Sequence, residues 1–130
     1  MKIAIVGAGI VGSTAAYYLS KEKDVEVTVF DHGPGQATKA AAGIISPWFS
    51  KRRNKAWYRM ARLGADFYQE LTSNLENDGY DTSFYDQSGV VLLRKDDGKL
   101  DGLYQYAKTR LEVSPIIGEL SIKNADKLPK

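Results

Sequence analysis

The sequence predicts an α/β fold, with a parallel strand–helix–strand unit at the front and the start of an antiparallel region behind it. Three observations carry that prediction. Ile3 to Val6 is a short, wholly apolar run rich in β-branched residues, the pattern of a strand buried on both faces. A turn with three glycines follows, and from Ile10 to Lys21 the residues Val11, Ala15, Tyr18 and Leu19 recur at helical spacings. Val25 to Asp31 then alternates Val25, Val27 and Val29 with Glu26 and Thr28, which reads as a second strand.

The remaining elements follow in order. Lys21 to Asp24 is a polar break, and His32-Gly33-Pro34-Gly35 must be irregular because Pro and two Gly punctuate it. Asn54 is placed to cap a long helix with Trp57, Met60, Ala61, Gly64, Phe67, Tyr68, Leu71 and Leu75 on one stripe. Asn77-Asp78-Gly79 ends that helix. Thr82 to Tyr85 and Val90 to Arg94 read as two strands joined by Asp86-Gln87-Ser88-Gly89, an antiparallel hairpin. A further helix carries Leu100, Leu103, Tyr104, Ala107 and Leu111, Pro115 breaks the chain again, and Ser121 is placed to cap a last turn.

Composition sets the outer limits. With 130 residues and 43% hydrophobic content the chain can bury a core, and a net charge of +2 gives no reason to expect a nucleic-acid partner. The absence of cysteine removes disulfides and thiol nucleophiles together, which suits a reducing cytoplasm. No apolar run is long enough for a membrane span. Met1-Lys2 and the apolar stretch after it resemble a signal peptide, but the spacing of the glycines and of the second strand answers to a different plan, so a cytoplasmic location is expected. His32 is the sole histidine; with no second ligand beside it, a metal site is not expected.

Gly7-Ala8-Gly9-Ile10-Val11-Gly12 has the form G-x-G-x-x-G. The first glycine permits a tight turn out of the strand, and the second lets backbone amides approach a pyrophosphate. The third lets helix and strand pack closely. The unpaired amides and positive dipole end of the helix then face the phosphates. The hexapeptide alone is a weak signal. Here it follows an apolar strand, opens a helix, and is joined by Asp31 at the end of the second strand, 19 residues after Gly12. That spacing suits a carboxylate accepting hydrogen bonds from ribose hydroxyls, and it disfavours a ribose 2′-phosphate. A Walker A loop is excluded, because no Gly-Lys-Ser/Thr follows the glycines.

These residues do not separate FAD from NAD, but the next segment is informative. After Asp31 the chain runs through Gly33-Pro34-Gly35 into Thr38-Lys39-Ala40-Ala41-Ala42-Gly43-Ile44-Ile45-Ser46-Pro47, where small side chains would let amides approach a large flat ring or a phosphate. On Ile3 to Leu19, Val27 to Asp31 and Thr38 to Pro47, the sequence resembles the D-amino-acid oxidase superfamily of flavoproteins, above all its glycine oxidase and D-amino-acid dehydrogenase branch. Weaker matches are the helix around Tyr58 to Leu71, the Gly89-Val90-Val91-Leu92-Leu93 run and Leu120 to Pro129.

The resemblance implies a Rossmann-like FAD-binding unit, with residues 1–80 the N-terminal part of the FAD-binding domain and 81–130 the beginning of a substrate domain. It implies Gly7, Gly9 and Gly12 with the amides of Ile10 and Val11 at the pyrophosphate, and Asp31 on the adenosine ribose with His32 and Gly33 beside it. Thr38 and Lys39 would line the phosphate, and Ala42, Gly43 and Ile44 would approach the flavin. The reaction implied is oxidation of an amine or amino acid by hydride transfer to the flavin, the cofactor carrying the chemistry. An NAD-dependent dehydrogenase domain and a redox-inert dinucleotide-binding module are the alternatives. Members of this superfamily are much longer, with their substrate-binding residues in the part absent here. The chain is therefore expected to be a truncated fragment, without catalytic residues and inactive alone. Taken alone it is expected to hold FAD poorly or not at all, and its first strand, apolar on both faces and so expected in mid-sheet, is left with an unpaired edge that should lead to self-association or to a missing polypeptide in the same particle.

Two clusters stay open. Trp48 and Phe49 belong either to the core or to the wall of the active site. Lys51, Arg52, Arg53, Lys55, Arg59 and Arg62 form a basic run with no acid among them, while the rest of the chain carries a net charge of −4. Cations near a helix N-terminus are unfavourable by roughly 0.3–1 kcal/mol each, so helix stability does not explain them. A solvated face, an anionic substrate, and peripheral contact of the 51–62 segment with an anionic membrane through Trp57 and Tyr58 are the three readings.

Overall fold

The structure, a computed structural model, describes residues 1–33, 37–52, 54–114 and 117–123. Two compact units divide the chain, Met1–Ile44 and Ile45–Lys130.

In the first unit, strand β1 (Lys2–Val6) is followed by helix α1 (Ile10–Ser20) and strand β2 (Glu26–Phe30). The strands pair in parallel, with Ile3 opposite Val27 and Ile5 opposite Val29. The Gly7 amide extends the ladder by donating to the Phe30 carbonyl at 2.7 Å. This is the βαβ unit expected from the sequence, and the period explains it. Ile3, Ile5 and Val27 are half-buried, because alternate residues of a strand face the same side and α1 packs there. At the opposite end, the Met1 ammonium donates to the Asp24 carbonyl, and Asp24 takes a φ of 61° to make the turn into β2.

One expectation needs correcting. The apolar run Ile3 to Val6 predicts burial on both faces, yet Lys2, Ala4, Val6, Thr28 and Phe30 are exposed, Val6 at 88%. Among the described residues the sheet has two strands, and of those in this unit α1 covers one face and none covers the other.

The second unit is built on a 3-10 turn, Pro47–Phe49, against which helices α3 (Lys55–Asn77) and α4 (Asp97–Leu111) pack. (A one-turn helix, α2, Ala37–Ala40, closes the described part of the first unit.) Asn54 caps α3 as expected, its Oδ1 accepting from the Trp57 amide at 2.9 Å, and Asp96 does the same for α4 through Lys99. Gly79, at φ +83°, ends α3 and lets the Tyr80 amide reach the Leu75 carbonyl. The core comprises Trp48, Ala65, Leu71, Leu103 and Ala107.

A polar cluster locks this core. The Trp48 indole donates to Ser114 Oγ at 2.8 Å, with both groups buried, so Trp48 is a core residue. The Arg110 guanidinium lies 3.7 Å from the centre of the Tyr58 ring and 4.2 Å from that of Tyr106. It also donates to the carbonyls of Pro47 and Trp48. Arg62 pairs with Asp66 at 2.8 Å and donates to the Val113 carbonyl.

These contacts set the rotation of α3, and they overturn part of its expected stripe. Tyr58, Arg62 and Asp66 have polar or cationic partners across the unit, and Ala65 fills the core. Met60 is consequently 70% exposed, and Gly64 and Phe67 also face outward.

The hairpin is a second correction. Residues 82–94 form no strand; a turn at residues 83–84 is followed by irregular chain. Tyr85 stacks on Tyr68 with ring centres 5.5 Å apart, and Gln87 Oε1 accepts from Gln69. Phe84, Val90, Val91 and Leu93 are exposed. The apolar residues of strand type are present, but an isolated ribbon is marginal without a third strand or a helix face beneath it. Asp81 organises the start of this segment by accepting from the amide and the hydroxyl of Ser83. Those bonds hold its carboxyl below the usual carboxylate range. Pro34, Gly35, Arg53 and Pro115, and most of the turn expected after Ser121, lie outside the described residues.

Candidate cofactor-binding site

The glycine turn joins β1 to α1, and its geometry assigns a separate task to each glycine. Gly7 adopts a φ of +101°, which residues with side chains rarely adopt. Gly9 is the N-cap of α1, in extended conformation, and a Cβ there would lie 3.2 Å from Thr38 Oγ1. Gly12 sits where the helix crosses the strand end. A Cβ on it would be 1.9 Å from the Gly7 carbonyl oxygen and 3.3 Å from Ile5 Cγ2. Close helix–strand contact therefore requires glycine at position 12, as the spacing of the motif predicts.

Asp31 lies at the end of β2 beside the turn. Its Oδ2 accepts from the Ala8 amide at 2.6 Å, and Oδ1 accepts from the Gly33 amide at 2.7 Å. The second bond is an Asx-type turn, and Gly33 supplies the φ of +86° that follows it. The carboxylate is thus held at the mouth of the glycine turn by backbone donors. Thr38, from α2, brings its hydroxyl to the first amide of α1, that of Ile10, at 2.9 Å. A residue 28 positions away thereby caps the helix that Gly9 has no side chain to cap.

The structure brings Gly7, Gly9, Ile10, Gly12, Asp31, Gly33 and Thr38 into one cluster at the end of the two strands. Val11 is in the first turn of α1, with its side chain 81% exposed. His32 and Lys39 are exposed. Ala42, Gly43 and Ile44 are exposed outside regular structure, Gly43 at φ +69° and Ile44 at 78% exposure. Sequence reasoning missed Ala8 and Ser13. Ala8 contributes only backbone, its amide to Asp31 and its carbonyl to the Ser13 hydroxyl at 3.0 Å, so its side chain carries no signal. Ser13, four residues after the N-cap, was legible only as a small residue.

The arrangement fits a dinucleotide. It offers a helix N-terminus with a side-chain-free approach, a left-handed turn only glycine adopts readily, and a carboxylate acceptor beside them. No group of acids or histidines that could hold a metal occurs among the described residues, and no helix among them is long and apolar enough to cross a membrane.

Comparison with known proteins agrees with this geometry. The profile of the family described as FAD dependent oxidoreductase matches residues 2–126. An uncharacterized oxidoreductase, YurR, of Bacillus subtilis (strain 168) is 44% identical over 127 residues, 97% of this chain and 34% of that protein. Glycine oxidase of the same organism is 30% identical over 124 residues, 85% of this chain and 33% of the relative. D-amino acid dehydrogenase of Rhodopseudomonas palustris (strain HaA2) is 47% identical over 53 residues, 38% of this chain and 12% of that enzyme. The chain thus spans about a third or less of the length of these relatives. No solved structure matches it. With its glycine turn and Asp31 at the front of a matched region that runs nearly from end to end, the chain belongs to the D-amino-acid oxidase family of FAD-dependent oxidoreductases.

Proposed function

We propose that this chain is the N-terminal, FAD-binding portion of an oxidoreductase that acts on an amine or amino acid. The observation that carries the proposal is the turn itself: Gly12 packed on the Gly7 carbonyl, with the Ile10 amide at the helix start and the Asp31 carboxylate beside it. The substrate class is supported by the names of two relatives, glycine oxidase and D-amino acid dehydrogenase.

In this reading Gly7, Gly9 and Gly12 leave room for the pyrophosphate, and the amides of Ile10 and Val11 donate to it. Asp31 accepts from the ribose hydroxyls, with His32 and Gly33 alongside. Thr38 and Lys39 contribute a hydroxyl and a cation at the phosphates, and Ala42, Gly43 and Ile44 approach the ring. The chemistry that a bound flavin supplies is hydride acceptance from the carbon bearing the amine. Residues 81–130 would begin the substrate domain, and the uncovered sheet face supports self-association of the chain taken alone.

Titration of the purified chain with FAD, ADP and NAD, followed by flavin fluorescence and calorimetry, tests the assignment. Weak but saturable FAD binding, displaced by ADP and further weakened in Asp31→Ala, is the expected result. Preference for NAD would replace the flavin reading with a dehydrogenase one, and binding of neither FAD nor ADP would refute the dinucleotide site.

A further inference from the structure

The rotation of α3 leaves an apolar stripe pointing away from the core that the proposed redox function does not use. Ala56, Met60, Leu63 and Phe67 follow one another at spacings of four, three and four, so they share one face. Met60 is 70% exposed, Leu63 42% and Phe67 36%. Lys55 and Arg59 line one flank of the stripe, both exposed. On the other flank the Arg52 guanidinium lies 4.7 Å from the centre of the Trp57 ring. No acid occurs between residues 51 and 65, and the first one, Asp66, is paired with Arg62.

We propose that this face of α3 lies on an anionic lipid surface, with Met60 and Leu63 entering the boundary between headgroups and acyl chains. Arg52, Lys55 and Arg59 then hold the lipid phosphates. An apolar stripe flanked by cations whose stems can lie along it is how a helix rests in a bilayer interface. Charge complementarity selects an anionic occupant and disfavours a second copy of this face, which would set Lys55 and Arg59 against their own kind. The shallow depression along the stripe is lined by Lys55, Ala56, Arg59, Met60 and Leu63, all from α3. Among the described residues no second element walls it into a groove for a peptide, so a planar, deformable partner fits better than an acidic chain. Trp57 and Tyr58 are not the anchors: both are half-buried, and Tyr58 lies beneath Arg110.

The test is co-sedimentation of the chain with vesicles of phosphatidylcholine alone and of phosphatidylcholine with about a third phosphatidylglycerol. The expected result is binding to the anionic vesicles only, released by high salt. Each Lys or Arg near such a surface contributes a factor of ~5. Lys55→Glu with Arg59→Glu should therefore lower partitioning by more than tenfold, and Met60→Ser with Leu63→Ser severalfold. All four side chains are exposed, and unchanged far-ultraviolet circular dichroism confirms that the variants fold. Three results overturn the proposal: no binding to anionic vesicles; binding that Met60→Ser with Leu63→Ser leaves intact, which would mean charge adsorption alone; or binding of polyglutamate without binding of vesicles. FAD binding is not involved in any of these readouts, so the outcome stands apart from the redox assignment.

Discussion

Substituting alanine for Gly12 puts the packing of the dinucleotide turn to a quantitative test. The added Cβ would lie 1.9 Å from the Gly7 carbonyl oxygen and 3.0 Å from its carbonyl carbon. Both are backbone atoms, so no flexible side chain can yield. Relief requires α1 to lift off β1 or Gly7 to change its conformation, and Gly7 also holds the ladder bond to Phe30. Overpacking of this kind costs about 1–3 kcal/mol or more. Against it stands the gain in helix propensity from glycine to alanine, about 1 kcal/mol. A 1.9 Å approach to a backbone oxygen lies at the severe end of the overpacking range, so Gly12→Ala should be destabilising by a net ~2 kcal/mol or more. Gly64 in α3 and Gly102 in α4 are the controls, because nothing lies within 4 Å of a Cβ built on either. Gly64→Ala and Gly102→Ala should each be stabilising by up to about 1 kcal/mol. Urea unfolding monitored by circular dichroism measures all three. A Gly12→Ala midpoint at or above that of the parent would refute the packing argument.

Three other substitutions read the site and its surroundings. Asp31→Ala should weaken FAD binding by about 1.5–3 kcal/mol, as expected for hydrogen bonds to a charged group, while Asp31→Asn, which keeps one acceptor, should weaken it less; calorimetry reads both. Thr38→Val is nearly isosteric but removes the acceptor on the Ile10 amide, and thermal unfolding should register a loss of about 1 kcal/mol, the value of a helix cap. Among the described residues the buried Tyr58 hydroxyl has no hydrogen-bond partner, so Tyr58→Phe should leave stability unchanged or raise it by up to ~1 kcal/mol, and a clear loss in denaturant titration would show that this hydroxyl has a partner.

Much of the first unit was legible because its determinants are local. The glycine spacing, the period of two in Val25 to Val29 and the interval to Asp31 each depend on a few consecutive residues, and the Asn54 cap is equally local. The rotation of α3 was not legible, since Met60 and Tyr58 are both plausible core residues by pattern. What decides between them is Arg110, 52 residues beyond Tyr58 in sequence. The same holds for Trp48, whose indole finds Ser114 across 66 positions. The hairpin failed for another reason. Val90, Val91 and Leu93 have strand propensity, but propensity acts only where a neighbouring sheet or helix offers a surface to pack on. Thr38 stood out for its hydroxyl, but nothing local in sequence showed that it would cap a helix 28 residues earlier.

The two backbone bonds made by Asp31 and Thr38 change what ligand recognition means at this turn. The Ala8 and Ile10 amides already have acceptors, so under the proposed assignment an incoming phosphate or ribose would exchange partners with the protein instead of meeting bare donors. Binding then conserves the number of hydrogen bonds, and its enthalpy should be small beside the count of contacts a bound complex would show. In return the loop keeps its shape between ligands. The entropy of ordering the glycines is lost once, when the polypeptide folds, and not again at each association. Affinity at such a turn is governed by how readily a hydroxyl and a carboxylate let go.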